Sequence, residues 1–124
     1  VGNYQVHYIL SASPEMINDR PEVLEAFMGA LAKADADVQA DPAAAMAAVS
    51  ASMSGAMSPE ALDTMWQDVD LRLDTDLAEL LVAEADWILA QGVVNGQALT
   101  LDDMLGKFAP AALEAVKPEA VKLP

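Results

Sequence analysis

Cysteine is absent from the 124 residues. Disulfides, a thiolate nucleophile and Cys-ligated zinc are therefore excluded within this chain. The absence leaves the compartment open, since both cytosol and periplasm hold cysteine-free proteins. Histidine occurs once, at His7, so neither a His-based metal site nor a Ser-His pair has a second histidine to draw on. Basic side chains number 6 against 20 acidic ones, for a net charge of −14. Phosphate recognition needs clustered Lys and Arg, and the sequence has no such cluster, which argues against nucleic acid as a partner. Docking on an anionic membrane is disfavoured for the same reason. The acidic excess reads as a solvated surface that keeps the protein in solution. No stretch approaches the roughly 18 apolar residues that span a bilayer. The chain opens on Val1-Gly2-Asn3-Tyr4 without a signal peptide, as a mature exported protein also does.

What is present is apolar and helix-forming. Hydrophobic residues make up 54%, enough to exclude simple disorder despite the charge. Much of that share is alanine, which favours helix but buries little area per residue. The core must rest on Leu, Val, Met, Ile, Phe and the tryptophans Trp66 and Trp87. The length suits one domain.

Tyr4 to Leu10 alternates in polarity and predicts a β-strand, with Val6, Tyr8 and Leu10 on one face and Gln5, His7 and Ile9 on the other. Ser13-Pro14 predicts a cap and first residue of a short helix, ended before Pro21. From Pro21 a long helix runs to about Val38, with Leu24, Phe27, Met28 and Leu31 as its buried stripe. Asp41-Pro42 and Ser58-Pro59 open two more helices, separated by a loop over 50–58. Leu62, Met65, Trp66 and Val69 form the second of these stripes. A period-two stretch, 69–74, then reads as a short extended segment. Asp74 or Thr75 caps a helix from about Asp76 to Gln91, ended by Gly92. Thr100, with Asp103 in a capping-box position, starts a last short helix, and a weakly helical tail follows Pro110. The fold class is thus mostly α: one strand at 4–10, then four to six helices over 14–124. The strand cannot satisfy its own N–H and C=O groups. Either another strand pairs with it or the chain belongs to something larger.

Few residues suggest chemistry. His7, on a strand beside tyrosines, reads as packing. Asp68, Asp70, Asp74 and Asp76 alternate like a calcium loop, but Arg72 interrupts them and no glycine follows. A solvated rim with an Asp–Arg pair is the better reading. Ser11 and Ser13 sit at a strand end, where hydroxyls can reach a ligand in a cleft. Set against this, Ser13 serves as the cap of the Pro14 helix. Trp66 and Trp87 sit at helical spacing with other apolar residues and read as core, and the seven methionines read as gap filling. No Gly-rich phosphate loop, Gly-x-Ser-x-Gly elbow or His-Glu-x-x-His motif is present. The residues predict neither an enzyme, nor a metal, nor a cofactor.

The run Tyr8-Ile9-Leu10-Ser11-Ala12-Ser13-Pro14 through Asn18-Asp19-Arg20-Pro21-Glu22 to Ala26-Phe27-Met28-Gly29-Ala30-Leu31 resembles the C-terminal part of ABC-transporter substrate-binding proteins. The nitrate/sulfonate/taurine branch is the most similar. Asp41-Pro42 with its alanine-rich helix, Ser58-Pro59-Glu60-Ala61-Leu62, Met65-Trp66 and Ala85-Asp86-Trp87-Ile88-Leu89-Ala90-Gln91-Gly92 continue the likeness. The resemblance implies that residues 1–124 are a single C-terminal segment of an α/β two-lobed, periplasmic-binding-protein fold. The implied function is capture of a small, anionic, sulfonate- or nitrate-like molecule and its delivery to an ABC permease. It implies a periplasmic or membrane-tethered extracytoplasmic location, no catalysis, and Ser11 and Ser13 as candidate ligand contacts. Two alternatives stand beside it: a thiamine-pyrimidine precursor enzyme of the same fold, and a stand-alone helical interaction module. An isolated chain is expected to bury its strand by self-association.

Overall fold

A computed structural model describes residues 7–66 and 69–124, and it is mostly helical. The order is α1 (Pro14–Asp19), α2 (Pro21–Ala40), α3 (Pro42–Ser52), α4 (Pro59–Trp66), β1 (Leu73–Asp74), α5 (Thr75–Ala90), α6 (Leu101–Leu105), α7 (Ala111–Val116), a 3₁₀ turn (Pro118–Ala120) and β2 (Val121–Lys122).

Helix starts follow the capping residues. The Ser13 hydroxyl accepts from the Met16 N–H at 3.2 Å, Asp41 from Ala44 at 3.0 Å, Ser58 from Ala61 at 3.3 Å and Asp74 from Leu77 at 3.2 Å. Each satisfies an amide that the helix itself leaves unpaired. Thr100 and Asp103 form a reciprocal capping box at α6. Pro14, Pro21, Pro42 and Pro59 each sit at the start of a helix, where the missing N–H costs nothing. Gly92 takes φ +68° just beyond α5, the left-handed position that ends a helix without a Cβ penalty.

α2 is the spine. It packs against α1, α3 and α7, while α3 and α4 form a hairpin and α5 pairs with α6. Its inward face is Leu24, Met28, Leu31, Asp35 and Val38. Phe27, expected in the stripe, stands 51% exposed. The reason is the seat of α7: Gly29 lies against Val116, whose Cγ1 is 3.8 Å from where a glycine Cβ would be. Docking over this small residue turns the buried face away from Phe27.

The N-terminal strand is not formed over the described residues. His7–Leu10 have no regular structure, with Tyr8 95%, Ile9 50% and Leu10 57% exposed. Val1–Val6, which include the first half of that expected strand, lie outside the described residues. A strand exists only as part of a ladder, and no described segment pairs with 7–10. In the sheet that does form, β1 falls within the extended stretch expected over 69–74, while its partner β2 was not expected. β1 and β2 pair in parallel, Leu73 with Val121 and Asp74 with Lys122. Helices also exceed the expected four to six, because the tail after Pro110 contributes α7 and the 3₁₀ turn.

The core is thin. Among apolar residues, Met46, Leu62, Ala78, Met104, Leu113 and Ala120 are buried. The chain exposes 8965 Å², where a compact monomer of its 13.0 kDa exposes about 6,300 Å². Trp87, expected in the core, is 65% exposed, and Val93 beyond it 77%. α5 rests on α6 and β1, and the Trp87 side chain stays largely outside its contacts.

Candidate functional site

A concavity lies beside the β1–β2 pair. It holds about 520 Å³, and its wall includes Arg72, Thr75, Asp76, Lys117, Glu119 and Lys122. The sequence has 6 Lys and Arg in all, so the groove gathers half of them. Arg72 lies just before β1 and Asp74 within it, the start of α5 presents Thr75 and Asp76, and the end of α7 with β2 presents the two lysines.

The charges are organised. Arg72 bridges Asp70 at 3.5 Å and Asp74 at 3.1 Å. This realises the expected Asp–Arg rim, while Asp68, the first of that cluster, lies outside the described residues. Asp74 has a second task, since its other oxygen caps α5. Lys117 pairs with Asp35 of α2, both side chains largely shielded. Lys122 makes no ion pair among the described residues, and its carbonyl accepts from the Thr75 hydroxyl at 3.4 Å. The groove thus offers charge of both signs beside the backbone edge of a two-stranded ladder.

The sequence-derived site residues lie elsewhere. Ser11 and Ser13 are exposed, and neither lines this groove or the smaller cleft of about 190 Å³ between α2, α3 and α4. Ser13 is engaged as the α1 cap. The Nδ1 of His7 is shielded from solvent and finds no partner among the described residues. Trp66 is half-buried at the smaller cleft, above Met46. Perturbed carboxyls sit at helix starts rather than in the groove. The Glu15 carboxylate is held below its usual range by its own N–H and then the Ser13 hydroxyl, and Glu60 likewise by its own N–H and the Ser58 hydroxyl. Asp103 is lowered by the Thr100 hydroxyl, then by the Thr100 N–H. Among the described residues, no three His, Asp or Glu side chains converge as metal ligands.

No family model, curated protein or solved structure matches the chain. The site therefore stands on its own geometry. Sequence reading missed the groove because two of its cations, Lys117 and Lys122, come from the tail. The signal was Val121-Lys122-Leu123, an alternating triplet compatible with an edge strand.

Proposed function

We propose that the chain is the helical C-terminal segment of a two-lobed solute-binding protein serving an ABC importer. The parent captures a small anionic molecule, sulfonate- or nitrate-like, outside the cytoplasm and hands it to a membrane permease. The work is closure of two lobes, without a reaction. The observation that carries this reading is the uncovered N-terminal run, Tyr8-Ile9-Leu10, feeding directly into a capped helical array in the order of the resemblance. A two-lobed fold supplies the sheet that such a run needs. The surplus of exposed surface is in keeping with helices built to rest on another lobe. Ser11 and Ser13, at the exit of the run, are the residues we place nearest the ligand cleft.

The test is genetic and then calorimetric. The coding sequence upstream of Val1 should hold a further α/β region of the same reading frame. The joined protein should bind an alkanesulfonate or nitrate in titration calorimetry, more weakly with Ser11→Ala and Ser13→Ala together. A frame that closes just before Val1, or a joined protein silent toward both anions, removes the proposal.

A second reading, a stand-alone helical interaction module, is favoured by one observation: among the described residues, His7–Leu10 join no ladder. Deletion of residues 1–10 separates the two. The module keeps its thermal unfolding and its partner-free solubility. In the importer reading, the joined protein loses cooperativity between its lobes.

A further inference from the structure

We infer that Asn95 is a self-modifying residue: in the folded chain the backbone nitrogen of Gly96 closes on the Asn95 side chain, and the amide is lost to leave aspartate and isoaspartate. This does not rest on the importer reading. It follows from the chemistry of one dipeptide and from where the fold puts it.

The sequence supplies the reacting pair. Asparagine occurs at Asn3, Asn18 and Asn95, and only Asn95 precedes a glycine. The nucleophile is the amide nitrogen of the following residue, and the electrophile is the side-chain carbonyl carbon, Cγ. The two are covalently linked, so the attack is intramolecular and needs only a backbone rotation. Glycine permits that rotation because it has no Cβ to bar the approach.

The fold leaves this pair accessible. Asn95 and Gly96 are exposed and lie outside any helix or strand, in the connection from α5 to α6. Among the described residues the Gly96 N–H donates to no backbone carbonyl, so the nitrogen is not held in a helix or a ladder. Asn18 is the internal comparison. It is also exposed, but it lies within α1, where the backbone is fixed in helical dihedrals, and Asp19 after it carries a Cβ. Asn3 lies outside the described residues.

The reaction balances with water as the one co-reactant. The bond from the Gly96 nitrogen to Cγ forms as that nitrogen gives its proton to solvent. The bond from Cγ to the side-chain nitrogen breaks, and the nitrogen takes up a proton and departs as ammonia. Water then opens the five-membered succinimide at either carbonyl. Opening at Cγ gives aspartate; opening at the backbone carbonyl gives isoaspartate, whose main chain runs through Cγ. Nothing is oxidised or reduced, and base speeds the closure because the attacking nitrogen must lose its proton.

The consequence is local. No charged residue occurs between Asp86 and Asp102, and this stretch exposes Trp87, Ile88, Val93 and Val94. The reaction sets a carboxylate in its midst. The isoaspartyl product also adds a carbon to the main chain beside Gly96, which lies against Leu89 of α5.

Incubation of the folded 124-residue chain in neutral and in alkaline buffer, followed by peptide mass mapping, tests this. Asn95 should convert to a mixture of aspartate and isoaspartate, faster in alkali, while Asn18 keeps its amide. On ion exchange the product should run one unit more negative than the parent charge of −14. Gly96→Ala should slow the conversion about tenfold. The fold tolerates that variant, since φ at Gly96 is not positive and a Cβ there meets Leu89 Cδ2 at 3.6 Å, an ordinary contact; unchanged helical circular dichroism checks it. The same incubation in urea separates the dipeptide from its setting: Asn95 should react at a similar rate, and Asn18 faster than in the folded chain. An Asn95 that keeps its amide when folded and loses it in urea overturns the inference. So does a Gly96→Ala chain that converts as fast as its parent, or a product that is aspartate without isoaspartate.

Discussion

Lys117, at the C-terminal cap of α7, is hydrogen-bonded to the Asp35 carboxylate in the C-terminal half of α2, 82 residues earlier in the chain. The two side chains keep 23% and 15% of their exposure. The pair fastens the tail to the spine at the point where α7 crosses Gly29.

Removal of one partner should therefore cost more than a surface ion pair does. Asp35→Ala leaves an ammonium largely shielded and unanswered. It should lower stability by about 1–3 kcal/mol. Asp35→Ala with Lys117→Met should recover part of that loss. Urea unfolding of the four proteins of the cycle gives the coupling, and a coupling near zero would show that the pair does not fasten the tail.

Met46 is the most deeply buried large side chain, at 2% exposure, under the cleft that holds Trp66. Met46→Ala should destabilise by about 2–5 kcal/mol through lost contacts and a residual cavity. Met65→Ala, at a side chain 63% exposed, should cost far less. Equal midpoints in urea for the two variants would contradict the buried position of Met46.

Acidification should fray particular helix starts. Folding lowers the carboxyl pKa of Glu15, Glu60 and Asp103. Each therefore contributes stability that is complete above its unfolded value, about 4, and is lost as pH falls through the lower folded value. Relief of the −14 self-repulsion acts the opposite way over the whole surface, so the readout must be local. Amide exchange at Met16, Ala61 and Asp103, the capped N–H groups, should accelerate in acid relative to mid-helix amides of α2. Thr100→Ala should reproduce the change at Asp103 alone, at neutral pH.

Trp87 and Trp66 should be separable by light. Trp87 is 65% exposed and Trp66 half-buried. Trp87→Phe should shift the remaining emission to the blue and reduce quenching by iodide, while Trp66→Phe does the reverse. Identical spectra for the two variants would place Trp87 in an apolar setting.

Local chemistry was the legible part of this fold. Ser13, Asp41, Ser58, Asp74 and Thr100 announce helix starts because a cap is a bond over three residues, complete within a short stretch of sequence. Gly92 announces an end for the same reason. Long-range choices were not legible. Phe27 satisfies the helical period as well as Leu24 does, and only the seat of α7 over Gly29 decides between them. Trp87 looks like core by its spacing, yet its side chain stands 65% exposed while Leu89, two residues on, meets Gly96. β2 alternates over only three residues, 121–123, and nothing local says that it pairs with β1, far earlier in the chain, so the groove the two complete was not legible. Ser13 had two readings in the sequence, and its hydroxyl is found capping α1, while Ser11 stands exposed beside it.

The Leu73–Val121 register has a consequence for the order of folding. α3 with α4, and α5 with α6, are neighbours in sequence and can pack as soon as they are made. The ladder and the Asp35–Lys117 bond close only when residues 117–122 arrive. Until then, neither contact holds the two helical groups together, and loop closure must be met before either returns free energy. A chain ended after Val116 should keep most of its helical circular dichroism and lose the single sharp unfolding transition. In this architecture, the last few residues made turn two helical pieces into one cooperative body.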